Sequence, residues 1–210
     1  MPNTPKLPDI ILLNGASSSG KSTFVRALQL ALPQPYLNYS SDLLVDGGLL
    51  PQVNRVEHGT PWSWNVIRPR FFDAFHHSIP AFVNAGNRLV VEHIVEHAHW
   101  LDALVALLAE CSVLYVGITC PLDEMEAREL RRGNRILGEG RSHLEDGIHT
   151  WSGYDLTLDT HAQTAAENIA KVLAAVASFN AQESVFRRLH ARLKPACPLP
   201  PPMAPPPAAP

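Results

Sequence analysis

Residues 9–23 read DIILLNGASSSGKST and join a continuous apolar run to a glycine-rich turn. From Gly15 to Ser22 the turn matches the pattern G-x-x-x-x-G-K-[ST], in which a buried strand comes before the loop and a helix follows it. Glycines allow the backbone N–H groups of such a loop to point at phosphate oxygens, and the start of the helix adds its positive dipole end. The stretch therefore predicts a strand–loop–helix unit that binds the phosphates of a nucleotide.

The side chains at the end of the loop suit phosphate chemistry. Lys21 can reach the β- and γ-phosphates, and the hydroxyl of Ser22 can ligate Mg²⁺. We therefore expect Mg²⁺ as a cofactor and assign nucleotide binding to the loop and the first residues of its helix. These residues are Gly15, Ala16, Ser17, Ser18, Ser19, Gly20, Lys21, Ser22 and Thr23.

Outside this unit, short apolar runs alternate with helical patterns. Strands are predicted at 9–13, 36–39, 88–91, 113–118 and 155–158. Helices are predicted at 20–32, 101–109, 121–132 and 162–177. Residues 68–85 also look helical, but Pro80 should kink or divide that helix because proline has no amide hydrogen. The alternation predicts an α/β fold, a doubly wound parallel sheet with helices on both faces.

Composition narrows the class of protein. The 210 residues are 46% hydrophobic and 18% charged, a mix typical of a globular protein with one main domain. The net charge of −3 argues against binding of nucleic acid or an anionic membrane through the overall charge of the chain. Three cysteines without CxxC spacing favour a reducing compartment. We expect a cytoplasmic protein without nucleic-acid or membrane partners, and the sequence leaves its oligomeric state open.

Two acidic residues follow predicted strands, where a parallel α/β sheet binds its ligands. Asp42 comes after the second strand and could accept a proton from an attacking hydroxyl. The residues alone do not favour this role over a second one, in which Asp42 caps a helix that begins at Leu43. Glu92 ends the third strand and could hold Mg²⁺ through water, a role we favour over that of a surface acid.

A cluster of arginines follows the fourth strand and its helix. Phosphoryl transfer needs positive charge over the γ-phosphate, and arginines on a mobile lid supply it. Arg132 and Arg135 lie beside Gly133, so we select them for this role. The alternative is a solvated helix face on which Glu126 and Glu129 pair with the arginines.

Five stretches between residues 9 and 178 occur in the order and spacing of a known family. They are IILLNGASSSGKSTFVRALQ (10–29), LNYSSDLL (37–44), LYVGITC (114–120), EARELRRGNR (126–135) and YDLTLDT (154–160). Through them the chain resembles the chloramphenicol phosphotransferase-like family of P-loop kinases.

The resemblance implies that ATP phosphorylates the hydroxyl of a small molecule, such as chloramphenicol or a related compound. In the family, the aspartate at the position of Asp42 is the base that deprotonates the acceptor. Lys21, Arg132 and Arg135 would then stabilise the transferring group, with Mg²⁺ held by Ser22 and, through water, by Glu92. The alternatives are a kinase for another metabolite or a nucleoside-like acceptor, and a non-catalytic nucleotide-binding switch.

Two regions depart from the family pattern. The third strand ends in Glu92-His93 where the family has paired aspartates, and His93 to His97 spells the zinc pattern H-x-x-E-H, which requires both histidines on one helix. The middle segment has no clear family match. It carries the aromatic residues Trp62, Trp64, Phe71, Phe72 and Phe75. These rings could line the acceptor pocket or pack in the core.

Proline marks the end of the folded body. Nine of the 19 prolines lie in residues 195–210, which predicts a disordered tail. Before it, Val185, Phe186, Leu189 and Leu193 recur at helical spacing, which predicts a final helix packed on its own domain rather than on a membrane or partner. We expect a P-loop kinase domain over 1–180, a helical extension over 181–194 and the tail over 195–210.

Overall fold

The fold is a parallel sheet in a computed structural model that describes residues 7–50, 63–132 and 137–193. Within these ranges the strands are β1 (Ile10–Asn14), β2 (Leu37–Ser40), β3 (Leu89–His93), β4 (Val113–Thr119) and β5 (Leu156–Asp159). Their order across the sheet is β2-β3-β1-β4-β5, and every pair is parallel. In the register of the central pairs, Asn14 lies opposite His93 on one side and Gly117 on the other.

The helices of the described ranges connect these strands and follow the last one. They are α1 (Lys21–Ala31), α2 (Ser41–Asp46), α3 (Trp64–Asn84), α4 (Ala98–Leu107), α5 (Leu122–Arg132), α6 (Glu139–Glu145), α7 (Ala165–Ala177) and α8 (Val185–His190). Strands β2 and β3 lie on one side of β1, and the chain then crosses to the other side for β4 and β5. The carboxyl end of β1 is therefore the switch point at which such sheets bind ligands.

Helices cover both faces of the sheet, which confirms the predicted fold class. Alternate residues of β1 point to opposite faces, so Ile10 and Leu12 contribute to one core and Ile11 and Leu13 to the other. The first core packs against α3, α4 and α8, and the second against α1 and α7. Because β1 and β3 are buried on both faces, each begins with a continuous apolar run, Ile10–Leu13 and Leu89–Val91, rather than an alternating pattern.

Helix α3 differs from its prediction because Pro80 does not divide it. The helix runs from Trp64 to Asn84 and contains both Pro69 and Pro80. Proline removes one hydrogen bond of the helix. Phe75 and Ile79, which both precede Pro80, are buried and hold the segment against the sheet. Tertiary packing therefore outweighs the local cost.

Helix α6 was not predicted from the sequence. It begins after Gly138, whose φ of 85° is readily adopted only by glycine among common residues. The carboxylate of Glu129 accepts hydrogen bonds from the backbone N–H groups of Gly138 (2.8 Å) and Gly140 (2.9 Å). A distant side chain in α5 thus satisfies amides at the start of this short helix.

The last described helix packs on the same core as α3 and α4. Val185 and Phe186 are buried there, and Leu189 and Leu193 pack against them, as the apolar spacing predicts. The tail over 195–210 lies outside the described residues, so the division into domain, extension and tail stays a prediction. In the part of the chain that is described, each helix is too short or too polar to cross a membrane.

Candidate active site

A cleft of about 220 Å³ opens at the carboxyl ends of β1, β2 and β3. The phosphate loop, the start of α2, the first half of α3 and helix α6 form its walls. Four residues that the sequence singled out line it together, namely Lys21, Ser22, Asp42 and Glu92. The cleft therefore places a phosphate-binding loop and both of the carboxylates predicted from the sequence around one space.

The loop is held in a closed turn by the side chain of Lys21, with a glycine at each of its ends. Gly20 has a φ of 96° and ends the loop, and the Nζ of Lys21 donates hydrogen bonds to the carbonyl oxygens of Gly15 (2.7 Å) and Ala16 (2.8 Å). A Cβ at Gly15 would lie 2.6 Å from the carbonyl oxygen of Ile118, so only glycine fits between β1 and β4 there. The turn thus needs glycine at both ends.

The loop residues face different surroundings. Ser17, Ser18, Gly20, Lys21 and Ser22 line the cleft, whereas Thr23 lies exposed in the first turn of α1. Ala16 and Ser19 are buried within the loop. The hydroxyls of Ser18 and Ser19 are buried without a hydrogen-bond partner among the described residues. Buried hydroxyls usually have partners, and of these two residues Ser18 lines the cleft, where a ligand of the loop could supply one.

Ser22 and Glu92 form the pair of oxygen donors predicted for Mg²⁺. The Ser22 hydroxyl donates a hydrogen bond of 2.7 Å to the Glu92 carboxylate, which is almost fully buried at the end of β3. Among the described residues, no three His, Cys, Asp or Glu side chains are grouped to hold a metal. One hydroxyl and one carboxylate fit Mg²⁺, which usually retains waters and binds substrate phosphates instead of filling an all-protein cage.

Asp42 lies in the first turn of α2 and is exposed at the cleft wall. The alternative in which Asp42 caps a helix beginning at Leu43 is wrong. Helix α2 begins at Ser41, and the hydroxyl of Ser40 accepts the capping hydrogen bond from the N–H of Leu43 (3.1 Å). Because serine takes the capping position, Asp42 does not cap this helix, and its role as a base stays a prediction.

The two arginines selected for a lid cannot be located. The side chain of Arg132, at the end of α5, and all of Arg135 lie outside the described residues. Their roles stay predictions. The partners of the neighbouring acids are described: Glu126 pairs with Arg141 (2.7 Å), whereas Glu129 is buried and binds the amides of the α6 start.

Aromatic side chains of α3 line the cleft opposite the loop. Trp64, Phe71 and Phe72 line it, although Phe71 and Phe72 are also buried in the core with Phe75. Trp62 lies outside the described residues. Packing in the core is therefore confirmed for part of the aromatic segment, whereas lining an acceptor pocket stays a prediction.

A stacked cation sits beside these rings. The guanidinium of Arg68 lies 4.9 Å from the centroid of the Phe72 ring and 5.3 Å from that of Trp100. Its charge is balanced by an ion pair with Glu96, and Arg68 and Glu96 both line the cleft. This wall thus offers apolar surface together with a neutralised pair of charges.

Two buried histidines, His76 and His93, lie next to these rings, and His93 also lines the cleft. The Nε2 atoms of His76 and His93 are 2.8 Å apart, so one neutral ring donates a hydrogen bond to the other. Burial, with smaller contributions from His77 and His99, lowers the pKa of His76 to about 4. His93 ends β3 and its ring stacks on Trp100, whereas α4 begins only at Ala98. The single-helix geometry that the zinc pattern requires is therefore not present.

Several cleft residues were not found from the sequence. Arg68 of α3 and Glu139 and His143 of α6 belong to no motif, and Glu96 was noted only as part of the zinc pattern, so only the tertiary structure brings the four together. Asn14 could have been found, because it is a polar residue that ends a fully apolar strand. Its buried amide donates to the carbonyl of Ile148 (2.9 Å) and accepts from the N–H of Val95 (2.8 Å), which joins β1 to two loops beside the cleft.

Comparison with known proteins gives a family and a fold. The profile of the family described as chloramphenicol phosphotransferase-like protein matches residues 8–177. A Mycobacterium tuberculosis H37Rv protein, provisionally named an O-phosphotransferase, is 28% identical over 182 residues, which cover 78% of this chain and 80% of that protein.

Solved kinases share the architecture. A gluconokinase from Sinorhizobium meliloti 1021 has a TM-score of 0.58 at 20% identity, covering 82% of this chain and 93% of its own. The APS kinase of Mycobacterium tuberculosis in complex with AMPPNP and APS has a TM-score of 0.56 at 19% identity, covering 81% of this chain and 98% of its own. At these identities the likeness shows the fold alone.

Proposed function

Because this chain belongs to the chloramphenicol phosphotransferase-like protein family, we propose that it is an ATP-dependent O-phosphotransferase that phosphorylates the hydroxyl of a small molecule. One observation carries the proposal: a phosphate-binding loop and the Asp42 carboxylate line the same cleft. A nucleotide-binding switch needs the loop and its Mg²⁺ ligands but no base for the hydroxyl of an acceptor. A phosphotransferase needs both, since the acceptor hydroxyl must lose a proton as it attacks.

Each group of residues in the cleft has its own role in the proposed reaction. The loop amides and Lys21 bind the β- and γ-phosphates and hold the γ-phosphoryl group in line with the acceptor. Asp42 accepts the proton of the acceptor hydroxyl as its oxygen forms a bond to phosphorus and the bond from phosphorus to ADP breaks. Arg132 and Arg135 would add positive charge over the transferring group.

Ser22 and Glu92 would hold Mg²⁺, Ser22 directly and Glu92 through water. Bound there, the ion neutralises phosphate charge that would otherwise repel the incoming oxygen. The short hydrogen bond between the two side chains keeps both donors directed at the same point of the cleft.

The acceptor wall suits an alcohol with an aromatic or apolar body. Trp64, Phe71 and Phe72 offer flat apolar surface, which favours ring stacking over the binding of a strongly hydrated sugar. The ion pair of Arg68 and Glu96 can accept and donate hydrogen bonds to neutral polar groups without attracting a net charge. Chloramphenicol or a related compound has this chemistry.

Mass spectrometry of a panel of alcohols after incubation with Mg-ATP tests the proposal. The panel contains chloramphenicol, other aromatic alcohols, sugars and nucleosides, with Lys21→Ala protein as the control. We expect an aromatic alcohol to gain one phosphoryl group, with ADP released in equal amount. Phosphorylation confined to sugars or nucleosides would contradict the acceptor class, and nucleotide binding with no acceptor-dependent ADP release would favour the switch.

A further inference from the structure

Helix α6 places one histidine against the phosphate loop. The backbone N–H of Ser17 donates a hydrogen bond of 3.2 Å to the Nδ1 of His143. A second contact reinforces the first, since the Ser17 hydroxyl donates to the carboxylate of Glu139 at 2.9 Å. Ser17 and His143 are both buried, and a buried amide without a partner is costly. His143 therefore supplies the partner that fixes this peptide of the loop.

The contact also fixes the protonation state of the ring. An Nδ1 that accepts a hydrogen bond carries no proton, so the proton of the neutral ring is on Nε2. That atom lies 4.0 Å from the Oε1 of Glu96, whose other oxygen pairs with Arg68. A protonated ring would turn an N–H toward the N–H of Ser17 and lose the hydrogen bond.

Helix α6 is fitted closely to the loop at this point. A Cβ on Gly140 would lie 3.0 Å from the carbonyl oxygen of Ser17 and 3.0 Å from a carboxylate oxygen of Glu129. The helix therefore contacts Ser17 through its backbone at Gly140 and through the side chain of His143. Ser17 directly follows Ala16, whose carbonyl oxygen accepts a hydrogen bond from the Nζ of Lys21, and Ser17 lines the cleft together with Asp42. Because this lysine reaches the β- and γ-phosphates, we place Ser17 at the end of the loop where the γ-phosphate would meet the acceptor.

We propose that His143 is a positioning residue that holds the Ser17 peptide, and through it the γ-phosphate end of the loop, in the geometry for transfer. The inference rests on the proposed phosphotransferase function. His143 acts through the loop and transfers no proton to or from the substrate. Its neutral form is the active form, because only an unprotonated Nδ1 can accept from Ser17.

Two substitutions separate the two ring nitrogens. In His143→Asn the amide oxygen can take the place of Nδ1 and accept from Ser17, whereas in His143→Gln the longer side chain reaches the place of Nε2. We expect H143Q and H143A to bind Mg-AMPPNP about fivefold more weakly, the effect of losing one hydrogen bond. H143N should regain most of that loss. Affinity for Mg-ADP should change far less, because the γ-phosphate is missing.

The pH dependence of binding gives a second readout. Burial lowers the pKa of His143, Lys21 lowers it further, and Glu96, Glu139 and Asp146 oppose the shift. Affinity of the native protein for Mg-AMPPNP should therefore fall as pH decreases below the ordinary histidine range. H143N should lose this component, while titration of the nucleotide itself is common to both proteins and cancels. His77→Asn, an exposed histidine of α3, should follow the native profile.

Titration calorimetry of the full chain with Mg-AMPPNP and Mg-ADP, on variants checked by thermal unfolding, decides the matter. Weaker AMPPNP binding in H143Q with recovery in H143N supports the positioning role. Equal losses in H143N and H143Q, or a pH profile unchanged by H143N, overturn it. Absence of saturable AMPPNP binding in the native protein overturns the proposed function, and this inference with it.

Discussion

Asp42 is the residue on which the acceptor half of the account depends. Its carboxylate lies at the cleft wall, and the capping role that competed with catalysis is taken by Ser40. The sequence alone left these two roles even, because a carboxylate after a strand suits either. The bounds of α2 exclude the capping role, because the helix begins at Ser41, two residues before Leu43. The role as a base stays a prediction.

Replacing Asp42 by asparagine should slow transfer without weakening nucleotide binding. The variant Asp42→Asn keeps the size of the side chain but removes the base, and we expect turnover to fall about 100- to 10,000-fold. Asp46→Asn is the matched control, because Asp46 is exposed in the same helix and does not line the cleft. ADP release measured with the acceptor present checks both, and normal turnover in D42N would refute the assignment of the base.

Elements differ in how far their sequence determines them. The buried strands were predicted to within one or two residues, because a strand covered on both faces requires an unbroken apolar run. Helix α6 was missed because the backbone amides at its start are bound by Glu129 in α5. The sequence around α6 does not indicate this partner. The same holds for the cleft: the loop is a motif, whereas Arg68, Glu96 and His143 are neighbours only in the folded chain.

Gly140 tests the fit between α6 and the phosphate loop. In Gly140→Ala the new methyl group would meet Ser17 and Glu129, both of which are held by hydrogen bonds, although alanine favours the helix itself. We expect Mg-nucleotide affinity to fall about fivefold to 100-fold, as overpacking costs about 1–3 kcal/mol.

Gly153→Ala is the control for that variant, because a Cβ there meets nothing within 4 Å. Binding titrations on both proteins check the prediction. Equal affinities for G140A and the native protein would show that α6 does not press on the loop.

At the scale of the whole molecule, the buried histidines link stability to pH. The pKa of His76 is about 4 in the folded chain and lies near 6.5 in an unfolded one, so between these values the unfolded chain binds more protons. The free energy of unfolding should therefore decrease as pH falls from 6.5 toward 4, by up to about 3 kcal/mol. Above pH 6.5 this contribution is fully present.

Urea denaturation at several pH values measures this dependence. The variant His76→Gln can still hydrogen-bond with His93 but does not titrate, so it should lose that part of the slope. His77→Gln, whose side chain is about half exposed, should keep it. A native-like slope in H76Q would place the pH dependence elsewhere in the protein.

The most direct test of the central claim is a calorimetric titration of the native protein and of Lys21→Ala with Mg-ATP. The Nζ of Lys21 lies within the loop, where the phosphates would bind. Replacing Lys21 by alanine removes the positive charge and two hydrogen bonds of the loop. The account predicts saturable binding of one nucleotide per chain in the native protein and little or none in K21A. No saturation in the native protein, or equal binding in both, would contradict it.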